Sequence, residues 1–146
     1  MIKTFRGILA DGETNRIRLS TKKGKIGYRI IKFQTIPFKP GQTDNESTIT
    51  IYKIDFTPLA TIDLADGNIL GVSFFSSNDV AQESPEDMTV IFEREIFNQD
   101  IYIGNQDSQS GALAMNYYLE LETETLTDNA AALSTLRDIR LNPQVV

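Results

Sequence analysis

Oxygen ligands stand closest together at Asp63, Asp66 and Asn68, and again at Glu83, Glu86 and Asp87. A calcium loop gathers such groups at alternate positions and closes with a bidentate Glu. Neither cluster has that spacing, so a turn explains the first and a hydrated acidic loop the second. Gly24-Lys25-Ile26-Gly27 shares only Gly and Lys with phosphate-binding loops and lacks their spacing and their Ser or Thr. It reads as a turn. Tyr117 and Tyr118, beside Glu120 and Glu122, offer rings and hydroxyl acceptors of the kind a sugar site uses. In a chain without Trp, a Tyr at the border of a β core is the plainer reading. With 20 acidic residues, some pair of carboxyls will meet the separation a glycosidase needs by chance alone.

The 146 residues contain no Cys and no His. That removes disulfides, thiolate nucleophiles, Cys/His zinc sites and triads built on an imidazole base. No catalytic residue, metal ligand or cofactor is assigned, and the chain is expected not to be an enzyme. The N-terminal residues Met1 to Arg6 are broken by charges, so no export signal is read there. No apolar run approaches the roughly 20 residues a membrane helix needs. The expectation is a soluble protein made in a cytoplasm, without a membrane partner.

Charge is distributed unevenly. Residues 1–40 carry ten basic and two acidic side chains, whereas the remaining 106 carry four basic and 18 acidic, within a net charge of −6. Arg16, Arg18, Lys22, Lys23 and Lys25 are predicted to share a hairpin and form a basic patch, with Glu120, Glu122 and Glu124 as an acidic strand face. The plain reading is that these faces balance within one molecule. The sharper one makes the five basic residues a protein-interaction site for an acidic partner surface. Nucleic acid ranks third, because the acidic remainder repels phosphate.

These residues must be positioned by strands. Apolar residues recur with period two in short runs bounded by turn residues, the pattern of half-buried antiparallel strands. Strands are predicted at about Ile2 to Leu9, Arg16 to Ser20, Ile26 to Ile36, Ser47 to Phe56, Ala60 to Leu64, Ile69 to Ser76, Met88 to Phe92, Gln99 to Ile103 and Asn116 to Glu124. In the last, Tyr117, Leu119 and Leu121 face inward and the glutamates outward. Ser47 to Phe56 is apolar on both faces and is predicted to be central. Asp66-Gly67-Asn68 is predicted to close a tight hairpin. Lys39 to Glu46 and Ser76 to Asp87 read as loops, as does the turn at Ser110-Gly111. Asp128 caps a helix to about Arg137, with Leu133, Leu136 and Arg140 on one side. The expected fold is all-β: an antiparallel β-sandwich, jelly-roll-like, with one short C-terminal helix, in a single domain over residues 1–140 and an arm at 141–146.

The segments Phe5-Arg6-Gly7-Ile8-Leu9-Ala10-Asp11-Gly12, Arg16-Ile17-Arg18-Leu19-Ser20-Thr21, Lys25-Ile26-Gly27-Tyr28, Phe97 to Ile103 and Asn116 to Glu122 resemble small proteins of tailed phages of marine and freshwater bacteria, including cyanophages. The resemblance implies a virion structural protein, first a capsid decoration (cement) protein. Its partner would be the major capsid protein or another virion protein, and it would form a homo-oligomer, a trimer by analogy with decoration proteins at three-fold axes. It would be made in the host cytoplasm and located in the virion. The alternatives are a tail- or fibre-associated subunit and a carbohydrate-binding β-sandwich for host attachment. The resemblance brings no catalytic residues with it.

Overall fold

The computed structural model describes residues 1–40, 45–77, 86–108 and 113–140. Eight strands precede one helix: β1 (Ile2–Leu9), β2 (Thr14–Ile17), β3 (Ile26–Pro37), β4 (Asn45–Tyr52), β5 (Ile69–Ser77), β6 (Glu86–Ile91), β7 (Ile101–Asp107), β8 (Met115–Thr125) and α1 (Asp128–Arg140). The strands form two antiparallel sheets, ordered β1-β8-β3 and β2-β7-β4-β5-β6. The pairs β1·β8, β2·β7 and β4·β5 are those of one long hairpin rolled into two layers, which is the jelly-roll pattern. The remaining pair, β3 with β6, is not made, and β6 instead extends the larger sheet beside β5. Hydroxyls join the layers on that side, with Thr35 of β3 at 2.7 Å from Ser73 of β5, which is 3.1 Å from Thr89 of β6. The fold is thus the expected jelly-roll-like sandwich, with one strand moved across.

Alternation sets the core. Tyr117, Leu119 and Leu121 of β8 are buried between the sheets, opposite Gly7, Phe5 and Lys3 of β1. In β3, Ile30 and Phe33 both face inward although three residues apart, which the register shift between Ile30 and Lys32 permits. The expectation that the fourth strand is central and covered on both faces holds over Ser47 to Ile51, all buried, but the strand ends at Tyr52 and does not run on to Phe56 as predicted. Its outer cover is the chain after β4. Phe56 and Pro58 lie against Gly104 of β7, where an added Cβ would stand 2.8 and 2.9 Å from their side chains. Only a glycine lets that segment lie so close to the sheet. The rings of Tyr52 and Phe56 meet at 4.2 Å, and the Thr14 hydroxyl donates to the Phe56 carbonyl at 3.2 Å.

Several boundaries differ from the sequence reading. Ala60 to Leu64 forms no strand, and Asp66-Gly67-Asn68 closes no hairpin. The carboxylates of Asp63 and Asp66 accept the N–H groups of Ala65 and Asn68 at 3.0 and 2.9 Å, making local turns that compete with ladder pairing. The second strand stops at Ile17, because the next free N–H groups, those of Leu19 and Ser20, are taken by the Asp100 carboxylate. The seventh begins at Ile101 and runs on to Asp107. Asn45, Glu46, Glu86 and Asp87, expected in loops, belong to β4 and β6. The rest of those two loops that falls at 41–44 and 78–85, with Glu83, lies outside the described residues, as do the turn at Ser110-Gly111 and the arm at 141–146.

Candidate functional site

The basic segment is a crossover. β2 belongs to the five-stranded sheet and β3 to the three-stranded one, so the residues between them pass from layer to layer and are not a hairpin. Such a crossover leaves backbone groups without ladder partners, and buried donors must find others. Asp100 supplies them: its Oδ1 accepts from Leu19 N at 2.7 Å and Ser20 N at 2.8 Å, while its Oδ2 accepts from Arg16 Nε at 2.7 Å. Burial pushes the Asp100 carboxyl up, but the Ser20 and Leu19 N–H groups and the Arg16 guanidinium outweigh it and hold it below the usual carboxylate range. The Tyr28 hydroxyl donates to the Leu19 carbonyl at 3.0 Å. A turn follows, with Gly24 at φ 63° and its N–H bonded to the Thr21 carbonyl.

Helix α1 packs against this crossover. Asn98 Nδ2 lies 2.9 Å from the Gly24 carbonyl, 2.7 Å from Thr135 Oγ1 and 3.3 Å from the Ala131 carbonyl, tying turn and helix together. Lys25 pairs with Asp128, in the first turn of the helix, at 2.8 Å. The sequence suggested that Leu133 and Leu136 mark the packing side. The structure reverses that: Ala131, Ser134 and Asp138 are buried, whereas Leu133 and Leu136 are 70% and 59% exposed. Polar partners on the sandwich explain the reversal, since Asn98 reaches the helix and its backbone N–H donates to Asp138 Oδ2 at 3.1 Å. Lys23, Lys25, Asp128, Ala132 and Leu136 line a shallow hollow between crossover and helix.

The five predicted interaction residues therefore divide. Arg16 and Lys25 are engaged within the molecule, by Asp100 and Asp128. Arg18, Lys22 and Lys23 are exposed and make no ion pair among the described residues. The acidic face of β8 is also partly balanced from within. Arg29 of β3 lies 2.5 Å from Glu122 and 3.5 Å from Glu124, Lys32 stands opposite Glu120, and the Lys32 ammonium is 5.9 Å from the Tyr118 ring. Tyr117 is buried and Tyr118 points outward, its hydroxyl donating to Glu120 at 2.8 Å.

A second polar centre was not foreseen. Lys53, Glu95, Arg137 and Asp138 meet where the end of β4, the chain before β7 and helix α1 converge. Asn98, Asp100, Asn105 and Asp107 were missed as well, and all four are buried. Asn105 Nδ2 reaches the Leu9 and Leu113 carbonyls, and the Asp107 carboxylate accepts from Glu46 N and Leu113 N. Their signal lay in phase, since Asn105 and Asp107 continue the inward positions of Ile101 and Ile103. Among the described residues no three acidic side chains gather as a metal site would require, and no helix is long and apolar enough to cross a membrane. No protein-family model matches the chain, and no curated protein matches it.

Proposed function

We propose that this chain is a non-enzymatic virion structural protein, a capsid decoration protein that docks on a protein shell and bridges neighbouring subunits. The observation that carries the reading is the hollow between crossover and helix, where exposed Leu136 lies with Lys23 and with Lys25, the latter paired to Asp128, while Leu133 is exposed on the same helix and Lys22 precedes Lys23. An apolar centre with a charged rim is the anatomy of a protein interface, and the cations suit an acidic partner. Nucleic acid is the poorer fit, because the net charge of −6 opposes the approach of phosphate. The resemblance to small phage proteins supports the virion setting. On a shell, identical modest contacts repeat under symmetry, and a trimer reuses one patch three times.

Mass spectrometry of purified virions tests the reading through copy number relative to the major capsid protein. Comparable abundance is the expected result. Absence from virions overturns the decoration role, and a few copies per particle move the chain to the tail. Light scattering at micromolar concentration tests the trimer.

A further inference from the structure

Lys53 and Asp138 are 85 positions apart in sequence, and their side chains are only 3% and 2% exposed. The Lys53 ammonium contacts Glu95 Oε1 and stands 3.8 Å from Asp138 Oδ1. Arg137 flanks both carboxylates, 3.9 Å from Glu95 Oε1 and 3.8 Å from Asp138 Oδ1. A buried ion pair is a poor source of stability, because removing both charges from water costs about what their attraction returns. The arrangement is richer than an ion pair needs, with a primary amine, a carboxyl electrophile and a second carboxylate in contact with the amine.

We propose that Lys53 and Asp138 become joined by an isopeptide bond after folding, with Glu95 as the proton carrier. The two oxygens of Asp138 are unlike. Oδ2 accepts the Asn98 backbone N–H, whereas Oδ1, on the Lys53 side, has no hydrogen-bond partner among the described residues. The N–H polarises the carbonyl and stabilises negative charge on Oδ2 when the carbon becomes tetrahedral. Oδ1 is then the leaving oxygen. Burial pushes the Asp138 carboxyl up, which favours the carboxylate taking an ammonium proton through Glu95 and so becoming the neutral acid that an amine can attack.

In the step, Glu95 takes a proton from the ammonium, and the freed lone pair of Nζ attacks Cγ of Asp138. The Nζ–Cγ bond forms and the Cγ–Oδ1 bond breaks. Of the three ammonium protons, one stays on the amide nitrogen, and two leave on Oδ1 as water, relayed by Glu95. Nothing is oxidised or reduced, and no co-reactant is consumed. The fold holds amine and carboxyl together, which replaces the activation that amide formation otherwise needs with high effective concentration. The product exchanges two buried charges for one neutral amide and closes the chain from β4 to α1. The unfolded state is thereby restricted, as it is by any cross-link closing a long loop.

Intact mass spectrometry of the full-length protein tests this directly. The expected mass is that of the sequence less one water. Asp11-Gly12 and Asp66-Gly67 can also lose water by cyclisation, so a tryptic digest must show a branched peptide in which Lys53 carries Asp138-Ile139-Arg140. Glu95→Gln, confirmed as folded by its β-type circular dichroism, should retain the full mass. Asp138→Asn should lose ammonia in place of water and reach the same product mass. A folded wild-type protein that keeps its full mass on prolonged incubation overturns the proposal. So does water loss without the branched peptide, or a Glu95→Gln variant that cross-links as fast as wild type.

Discussion

Asn98 Nδ2 donates to the carbonyl oxygen of Gly24 at 2.9 Å, so a side chain just before β7 holds the crossover between the two sheets. The same amide reaches Thr135 and Ala131 of α1. Two polar residues two positions apart, Asn98 and Asp100, thus satisfy backbone that neither sheet can pair. The surface proposed as an interface is consequently built on a fixed turn.

Gly24→Ala should destabilise the fold more than Gly12→Ala. Both glycines have positive φ, at 63° and 78°, and Ala in that region costs about 1–2 kcal/mol. At Gly12 the new Cβ meets nothing within 4 Å, whereas at Gly24 it lies 2.9 Å from Thr135 Oγ1 and 3.0 Å from Asn98 Nδ2. Urea midpoints measure the difference, and amide exchange should show α1 loosening in the Gly24 variant alone.

Asp100→Asn should cost about 1–3 kcal/mol at neutral pH, the range for leaving buried hydrogen-bonding groups badly paired. The folded Asp100 pKa is below its ordinary value of 3.8, so the carboxylate stabilises the fold at every pH above that value. This contribution is lost as pH falls through the folded pKa. The wild-type advantage in urea midpoint should be constant from about pH 5 to 7 and shrink below about pH 4. An advantage that grew on acidification would contradict the assignment.

Charge reversal should separate the basic residues into two groups. Arg16→Glu sets a carboxylate against Asp100 and should lower the melting temperature. The triple change of Arg18, Lys22 and Lys23 to Glu removes no internal ion pair among the described residues and should leave melting within the small range of surface substitutions. Binding to the proposed acidic partner should weaken in that triple variant, mainly through slower association at low salt, since exposed pairs give only about 0.2–1 kcal/mol each and are screened. Normal binding across a salt series would show that the patch is only a solvated face.

Leu133→Ser with Leu136→Ser should behave as a surface change for stability, because both side chains are mostly exposed. Assembly should suffer instead. Light scattering is expected to show smaller oligomers, and shell binding should fall by more than in the charge variant, since the apolar centre of an interface carries most of its affinity.

The amino-acid sequence alone determined the class of fold and much of the face assignment. Period two in Tyr117, Leu119 and Leu121 is a local property, since neighbouring side chains of a strand point to opposite faces whatever the strand pairs with. The double coverage of Ser47 to Ile51 was legible for the same reason. Only the tertiary structure decided where these strands went. The move of β6 away from β3, the crossover in place of a hairpin at Arg16 to Lys25, and the outward turn of Leu133 and Leu136 depend on partners far away in the chain. Asp100 ends β2 by taking backbone donors 80 and 81 residues away, and Asn98 draws the polar side of α1 inward from 33 to 40 residues away. A buried polar group goes where its hydrogen bonds can be made, and no periodicity in its own segment records that place.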